Sequence, residues 1–178
     1  FSQIIHLLLG IKALTFFLDP SSLGIYYIIL TYVGFYNLIL LNPPSNYLFR
    51  NLYEYINLSR LKENFFNFFI YAFFIALLSF FLLLIISVSN IIQMNIYLIL
   101  TISVFIYLDC ITRNMLNYLL VIDDYKYDGI YSLILNLGSL CVALVLLISF
   151  KDLIYWFLGL TLFQLIIVPL LINKLPKE

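Results

Sequence analysis

The sequence predicts an all-α integral membrane protein, and three observations carry that expectation. Of 178 residues, 65% are apolar and only 10% are charged, whereas a soluble domain runs near half apolar and a quarter charged. Mean hydropathy is +1.10, so too little polar surface exists to cover a water-facing sphere. The apolar residues also fall in runs close to the roughly 20 that a helix needs to cross a hydrocarbon core. Barrel strands would alternate apolar and polar over about ten residues, but Phe73 through Ile86 is almost continuously apolar. Only helices and closed barrels satisfy the backbone in lipid, so helices remain. A soluble enzyme, a disordered tail and a secreted disulfide domain are excluded.

About six transmembrane helices are expected, at residues 3–18, 24–42, 65–88, 92–119, 129–149 and 153–173. The first begins in an apolar stretch at Phe1 and holds His6 and Lys12. It has no small-residue cleavage site and does not read as a signal peptide. A chain starting this way is expected to be a piece of a longer product. The second span contains Gly24 and Gly34 and runs into Asn42-Pro43-Pro44. Two prolines remove two backbone donors and should kink or end the helix there.

Between spans two and three, Tyr47, Leu48, Leu52, Tyr53, Ile56 and Leu61 recur every three or four residues. That pattern predicts a helix lying at the interface or continuing span two. The third span is the clearest, because Phe65 through Val88 carries no charge. The fourth is the longest and ends in Asp109, Arg113, Asn114 and Asn117. Lys151-Asp152 alone joins the last two spans, which predicts an antiparallel hairpin.

Orientation follows from where Lys and Arg fall. With the N-terminus inside, the inner segments hold Arg50, Arg60, Lys62, Arg113, Lys126, Lys174 and Lys177. The outer turns hold Lys151 alone, so both termini are expected to be cytoplasmic. Nine basic residues against nine acidic ones give no net charge, hence no basic face for nucleic acid. Cys110 and Cys141 lie in apolar runs and read as reduced thiols.

Charges inside spans are informative, since each costs on the order of 2.5–3.5 kcal/mol at mid-helix. Lys12, Thr15 and Asp19 share one sector of the first helix, and Gln3, His6 and Gly10 the opposite one. Lys12 lies about 10 Å of helix rise from Asp19. It either lines a cavity that receives an anionic group or snorkels to the interface. His6 is open to a proton-relay role or to plain packing. Asp109, Arg113 and Asn117 stack on one face at intervals of four, as a gate or coupling site or as a structural ion pair at the membrane surface. Ser132, Asn136 and Ser139 form another stripe, which serves helix packing or lines a cavity. Thr161, Gln164 and Pro169 mark the sixth span, where the proline predicts a kink.

No catalytic constellation emerges. Asp123-Asp124 falls in a loop with Lys126 and Asp128, and no glycine-rich phosphate loop is present. A single His and no clustered Cys argue against a metal, and no cofactor is expected. The Asn57-Leu58-Ser59 glycosylation sequon falls on the expected cytoplasmic side.

Leu18-Asp19-Pro20-Ser21-Ser22-Leu23-Gly24-Ile25-Tyr26 resembles the first outer turn of polysaccharide flippases of the Wzx type, in the multidrug/oligosaccharidyl-lipid/polysaccharide exporter superfamily. There a leucine-rich helix end is followed by Pro, three residues, Gly, any residue and an aromatic. In this reading Pro20 starts the second helix and Gly24 lets it pack closely against the first. Tyr47-Leu48-Phe49-Arg50 is similar to the family's cytoplasmic end of helix two, and Arg113 through Tyr127 to its loop between helices four and five.

Members have two lobes of six spans, so the resemblance implies that residues 1–178 are one six-helix lobe, the N-terminal one, of a two-lobe flippase-like transporter. It implies export of a polyprenyl-diphosphate-linked oligosaccharide, such as an O-antigen repeat for lipopolysaccharide, across the bacterial cytoplasmic membrane by alternating access. The implied partners are that lipid-linked oligosaccharide, membrane lipids and a second lobe or partner chain. Lys12 would then be a cavity cation, Arg50 and Arg113 would bind the substrate headgroup, and Asp109 and His6 would couple or gate. A non-catalytic subunit of a larger membrane complex is the alternative, followed by a membrane-embedded glycan polymerase or acyltransferase.

Overall fold

The computed structural model describes the backbone of residues 2–89, 92, 94–121 and 125–173, and side chains from Leu8 onward except at 125–128. Every regular element in it is helical: α1 (Ser2–Phe17), α2 (Pro20–Phe35), a π-helical stretch (Tyr36–Leu41), α3 (Asn42–Arg50), α4 (Leu52–Asn57), α5 (Leu61–Val88), α6 (Ile96–Val121), α7 (Tyr125–Phe150) and α8 (Leu153–Ile172).

Among the described residues, five helical segments are long and apolar enough to cross a membrane: Pro20–Arg50, Leu61–Val88, Ile96–Val121, Gly129–Phe150 and Leu153–Ile172. The remaining expected span, the first in the chain, is shorter. Helix α1 has 16 residues and ends because Asp19-Pro20 opens the next helix. Asp19 caps α2, accepting from the Ser21 hydroxyl and from the Ser22 amide at 3.3 Å, with Pro20 in the first turn. These contacts hold the Asp19 carboxyl below its ordinary value of 3.8, at about 2. Gly24, expected to pack against α1, is exposed, and a Cβ placed there would meet nothing within 4 Å.

Pro43 and Pro44 do not end the second span. The helix widens over Tyr36–Leu41, where the Asn42 amide reaches back to the Asn37 carbonyl, and continues to Arg50. Wider turns bring the prolines into the first turn of α3, where a missing N–H is tolerated. Pro44 offers no N–H to the Leu40 carbonyl, and the Tyr71 hydroxyl of α5 donates to it at 2.9 Å. A second tie lies about two turns earlier, in α2, from the Tyr32 hydroxyl to the Ser79 carbonyl at 3.0 Å.

The connector continues span two and then forms the short α4, with Leu48, Leu52 and Leu61 buried and Tyr47, Tyr53 and Ile56 exposed. Helix α4 ends at Ser59, whose φ is +53°. The Ser59 amide bonds Ile56 and the Arg60 amide bonds Tyr55, the paired bonds of a Schellman stop.

Helices α6 and α8 form the interior. Buried residues make up 56% of the α6 span and 50% of the α8 span, against 22% for α5 and α7. The α7–α8 hairpin turns as expected: Lys151 takes φ +54°, and Asp152 caps α8 through the Ile154 amide at 3.1 Å. The two helices approach backbone to backbone. A Cβ on Gly159 would lie 2.4 Å from the Ala143 Cα, and one on Gly138 would lie 2.0 Å from the Phe163 ring. Small residues at such crossings are the usual means of close helix packing in lipid. Helix α1 lies along α7, with the Trp156 ring of α8 against Gly10.

Candidate functional site

The bundle encloses a polar cavity of about 670 Å³ between the π-helical stretch, α3, α6, α7 and α8. From the π-helical stretch and α3 come Asn37, Asn42 and Ser45; from α6 come Asp109, Arg113, Asn114 and Asn117. Helix α7 adds Ser132, Asn136 and Ser139, and α8 adds Gln164. Two polar stripes separated in the sequence, on the fourth and fifth spans, therefore face one space.

Its depth follows from helix geometry. The α6 wall runs from Phe105 to Leu120, about 22 Å at 1.5 Å per residue. Asn117 and Leu120 are exposed, while Gln164 is buried. The cavity thus runs from near the C-terminal end of α6 to the middle of the bundle.

Asp109 stands halfway along α6, twelve residues before its end at Val121. The expected ion pair exists, with Arg113 Nε 2.9 Å from Asp109 Oδ2. It is not at the end of the helix. The Asp109 side chain is 11% exposed and that of Arg113 63%, so the acid is held in the wall and the guanidinium reaches into open space. The pair is a charge contact without an aligned hydrogen bond, and Asp109 Oδ2 lacks a hydrogen-bond partner. Gln164 Oε1 is likewise buried and unpartnered.

Several other polar groups are tied into the wall. Asn114 donates to the Cys110 carbonyl at 2.7 Å and accepts from the Ser45 hydroxyl at 2.5 Å. Asn136 donates to the Ser132 carbonyl at 2.8 Å, and the Ser139 hydroxyl donates to the Asn136 carbonyl at 3.3 Å.

The other residues singled out from the sequence lie elsewhere. Lys12 is exposed on α1 and does not line this cavity, although its carbonyl accepts from Thr15 at 2.9 Å. Arg50 is exposed at the end of α3 and also lies outside the wall. The side chains of His6 and of Asp123, Asp124, Lys126 and Asp128 fall outside the described residues. Asn37, Asn42 and Ser45 were not singled out, and the signal for them was Asn42-Pro43-Pro44. Reading the prolines as a kink or an end of the helix gave no reason to place these residues along one wall. Cys110 lines the cavity and Cys141 is exposed, both free. Among the described residues no group of His, Cys, Asp and Glu side chains is placed to hold a metal.

Fold and site define a helical bundle of membrane-crossing dimensions with an internal polar cavity. No family model matches the chain, and no curated protein or solved structure matches it either.

Proposed function

We propose that this chain is a transport lobe that moves a polyprenyl-diphosphate-linked oligosaccharide across a bacterial cytoplasmic membrane. The observation that carries the reading is the polar cavity itself, reaching mid-bundle in a chain that is 65% apolar. Ionisable side chains at membrane depth are costly, and they characteristically mark substrate or ion pathways. Cavity walls rich in amides and hydroxyls match the donors and acceptors of sugars.

In this reading the glycan enters among the amides, and Arg113 meets the diphosphate with the part of its guanidinium that Asp109 leaves open. Asp109 holds that cation in place and offers a protonatable group if transport is ion-coupled. Lys12 and Arg50, exposed outside the cavity, are left for lipid headgroups. A second lobe or a second copy would complete the path, in keeping with the resemblance of the first hairpin to Wzx-type flippases.

The test is translocation in proteoliposomes carrying the full chain and a fluorescent polyprenyl-diphosphate chitobiose. Quencher accessibility should change with time for the wild type and much more slowly for Arg113→Ala. Rates equal to those of protein-free vesicles, with the chain folded and able to bind the glycolipid, would favour the subunit reading.

A further inference from the structure

We propose that Gln164 determines substrate specificity at the deep end of the cavity, selecting an uncharged group that donates hydrogen bonds, such as a sugar hydroxyl or acetamide N–H. The proposal deepens the transport reading, on which it rests for the natural occupant. Its physical basis is local.

Gln164 is 5% exposed, lines the cavity and carries an Oε1 with no hydrogen-bond partner. A buried acceptor without a donor costs more than a satisfied one gains, so its retention in the wall calls for an occupant. That occupant must donate.

Charge then narrows the chemistry. Among the described residues of the wall, Asp109 and Arg113 are the charged ones and sit 2.9 Å apart, so together they contribute no net charge. An inorganic cation would have to displace or outbid the guanidinium on Asp109. An anion placed deep would meet the Gln164 Oε1 and the Asp109 carboxylate. A neutral donor meets neither penalty. At about 670 Å³ the space is within the range of small-molecule sites.

The probe is free N,N′-diacetylchitobiose, tested by thermal unfolding of the full chain in lipid nanodiscs. A glucuronic-acid-containing disaccharide and sodium chloride serve as comparisons. Binding to the folded state raises the midpoint in proportion to occupancy. The neutral disaccharide should raise it by a few degrees, and the acidic disaccharide and sodium should not. Gln164→Met keeps the side-chain length and apolar fit and removes the acceptor, so the shift should vanish. The unliganded midpoint of that variant should be no lower than the wild type's, which separates lost recognition from lost folding.

No shift with the neutral sugar, an equal shift in Gln164→Met, or a sodium shift that this variant abolishes would each overturn the proposal. A Gln164-dependent sugar shift without translocation of the lipid-linked glycan would keep this specificity and remove the transport reading.

Discussion

The Ser45 hydroxyl donates to Asn114 Oδ1 at 2.5 Å, and both residues are buried. This bond ties the helix that continues past Pro43-Pro44 to the helix that carries Asp109. It also turns the Asn114 amide so that its nitrogen reaches the Cys110 carbonyl at 2.7 Å. One hydroxyl thus links two of the elements that wall the cavity.

Ser45→Ala leaves the Asn114 carbonyl oxygen without its donor and should destabilise the bundle by about 1 kcal/mol. Membrane double-mutant cycles average about 0.6 kcal/mol for such bonds, and burying an unmet acceptor adds to that. Reversible unfolding in mixed micelles measures it. In the Asn114→Ala background the serine substitution should cost little, because the acceptor is already gone.

Gly159→Ala should destabilise by roughly 1–3 kcal/mol, the usual cost of overpacking. The added Cβ would meet the Ala143 Cα at 2.4 Å and its amide nitrogen at 2.7 Å, so Ala143→Gly would not relieve it. Gly24→Ala is the internal control. Open space around that helical glycine should make alanine neutral or stabilising by about 0.4–1 kcal/mol. Parallel unfolding curves of the two variants check both signs.

Tyr71→Phe removes the donor to the Leu40 carbonyl and should cost about 0.5–1.5 kcal/mol. Pro44→Ala restores an N–H four residues beyond that carbonyl, giving it a partner within its own helix. The Tyr71→Phe penalty should therefore shrink in the Pro44→Ala background. A double-mutant cycle with no coupling would mean that the proline and the tyrosine act independently.

Asp19 predicts an acid limb in the stability profile. Its carboxyl, held at about 2 by the Ser21 hydroxyl and the Ser22 amide, binds protons less readily folded than unfolded. Its contribution is complete above the ordinary carboxylate value of 3.8 and is lost as pH falls through about 2. Asp19→Asn retains a capping side chain but not the charge. The difference between wild-type and variant midpoints should be constant from pH 7 to about 5 and disappear toward pH 2.

Much of this architecture was legible in the sequence because lipid demands long apolar helices and tolerates few alternatives. Lys151-Asp152 left too little chain for anything but a hairpin. The stripe of Asp109, Arg113 and Asn117 and that of Ser132, Asn136 and Ser139 were visible from spacing. Their facing one cavity was not, because nearly every helix face is apolar and periodicity fixes no rotation. Gly24 and Gly159 show the same limit: only the second has a backbone against it, and one sequence does not reveal a glycine's neighbour. Of the two outcomes expected at Asn42-Pro43-Pro44, an end of the helix did not occur, since widening into a π-helical stretch let the helix continue and bring Asn37, Asn42 and Ser45 to the wall.

A polar cavity that runs from near the C-terminal end of α6 to mid-bundle should be open to water from one membrane face. The direct measurement is thiol labelling of Ser139→Cys in a background lacking Cys110 and Cys141, with a membrane-impermeant reagent applied to sealed vesicles of either orientation. Arg50→Cys and Lys151→Cys mark the two faces. Position 139 should label from the face that labels position 50, stay silent from the face that labels position 151, and be protected by polyprenyl-diphosphate chitobiose. Labelling from neither face, or only from the side of position 151, would mean that no such water-filled path exists.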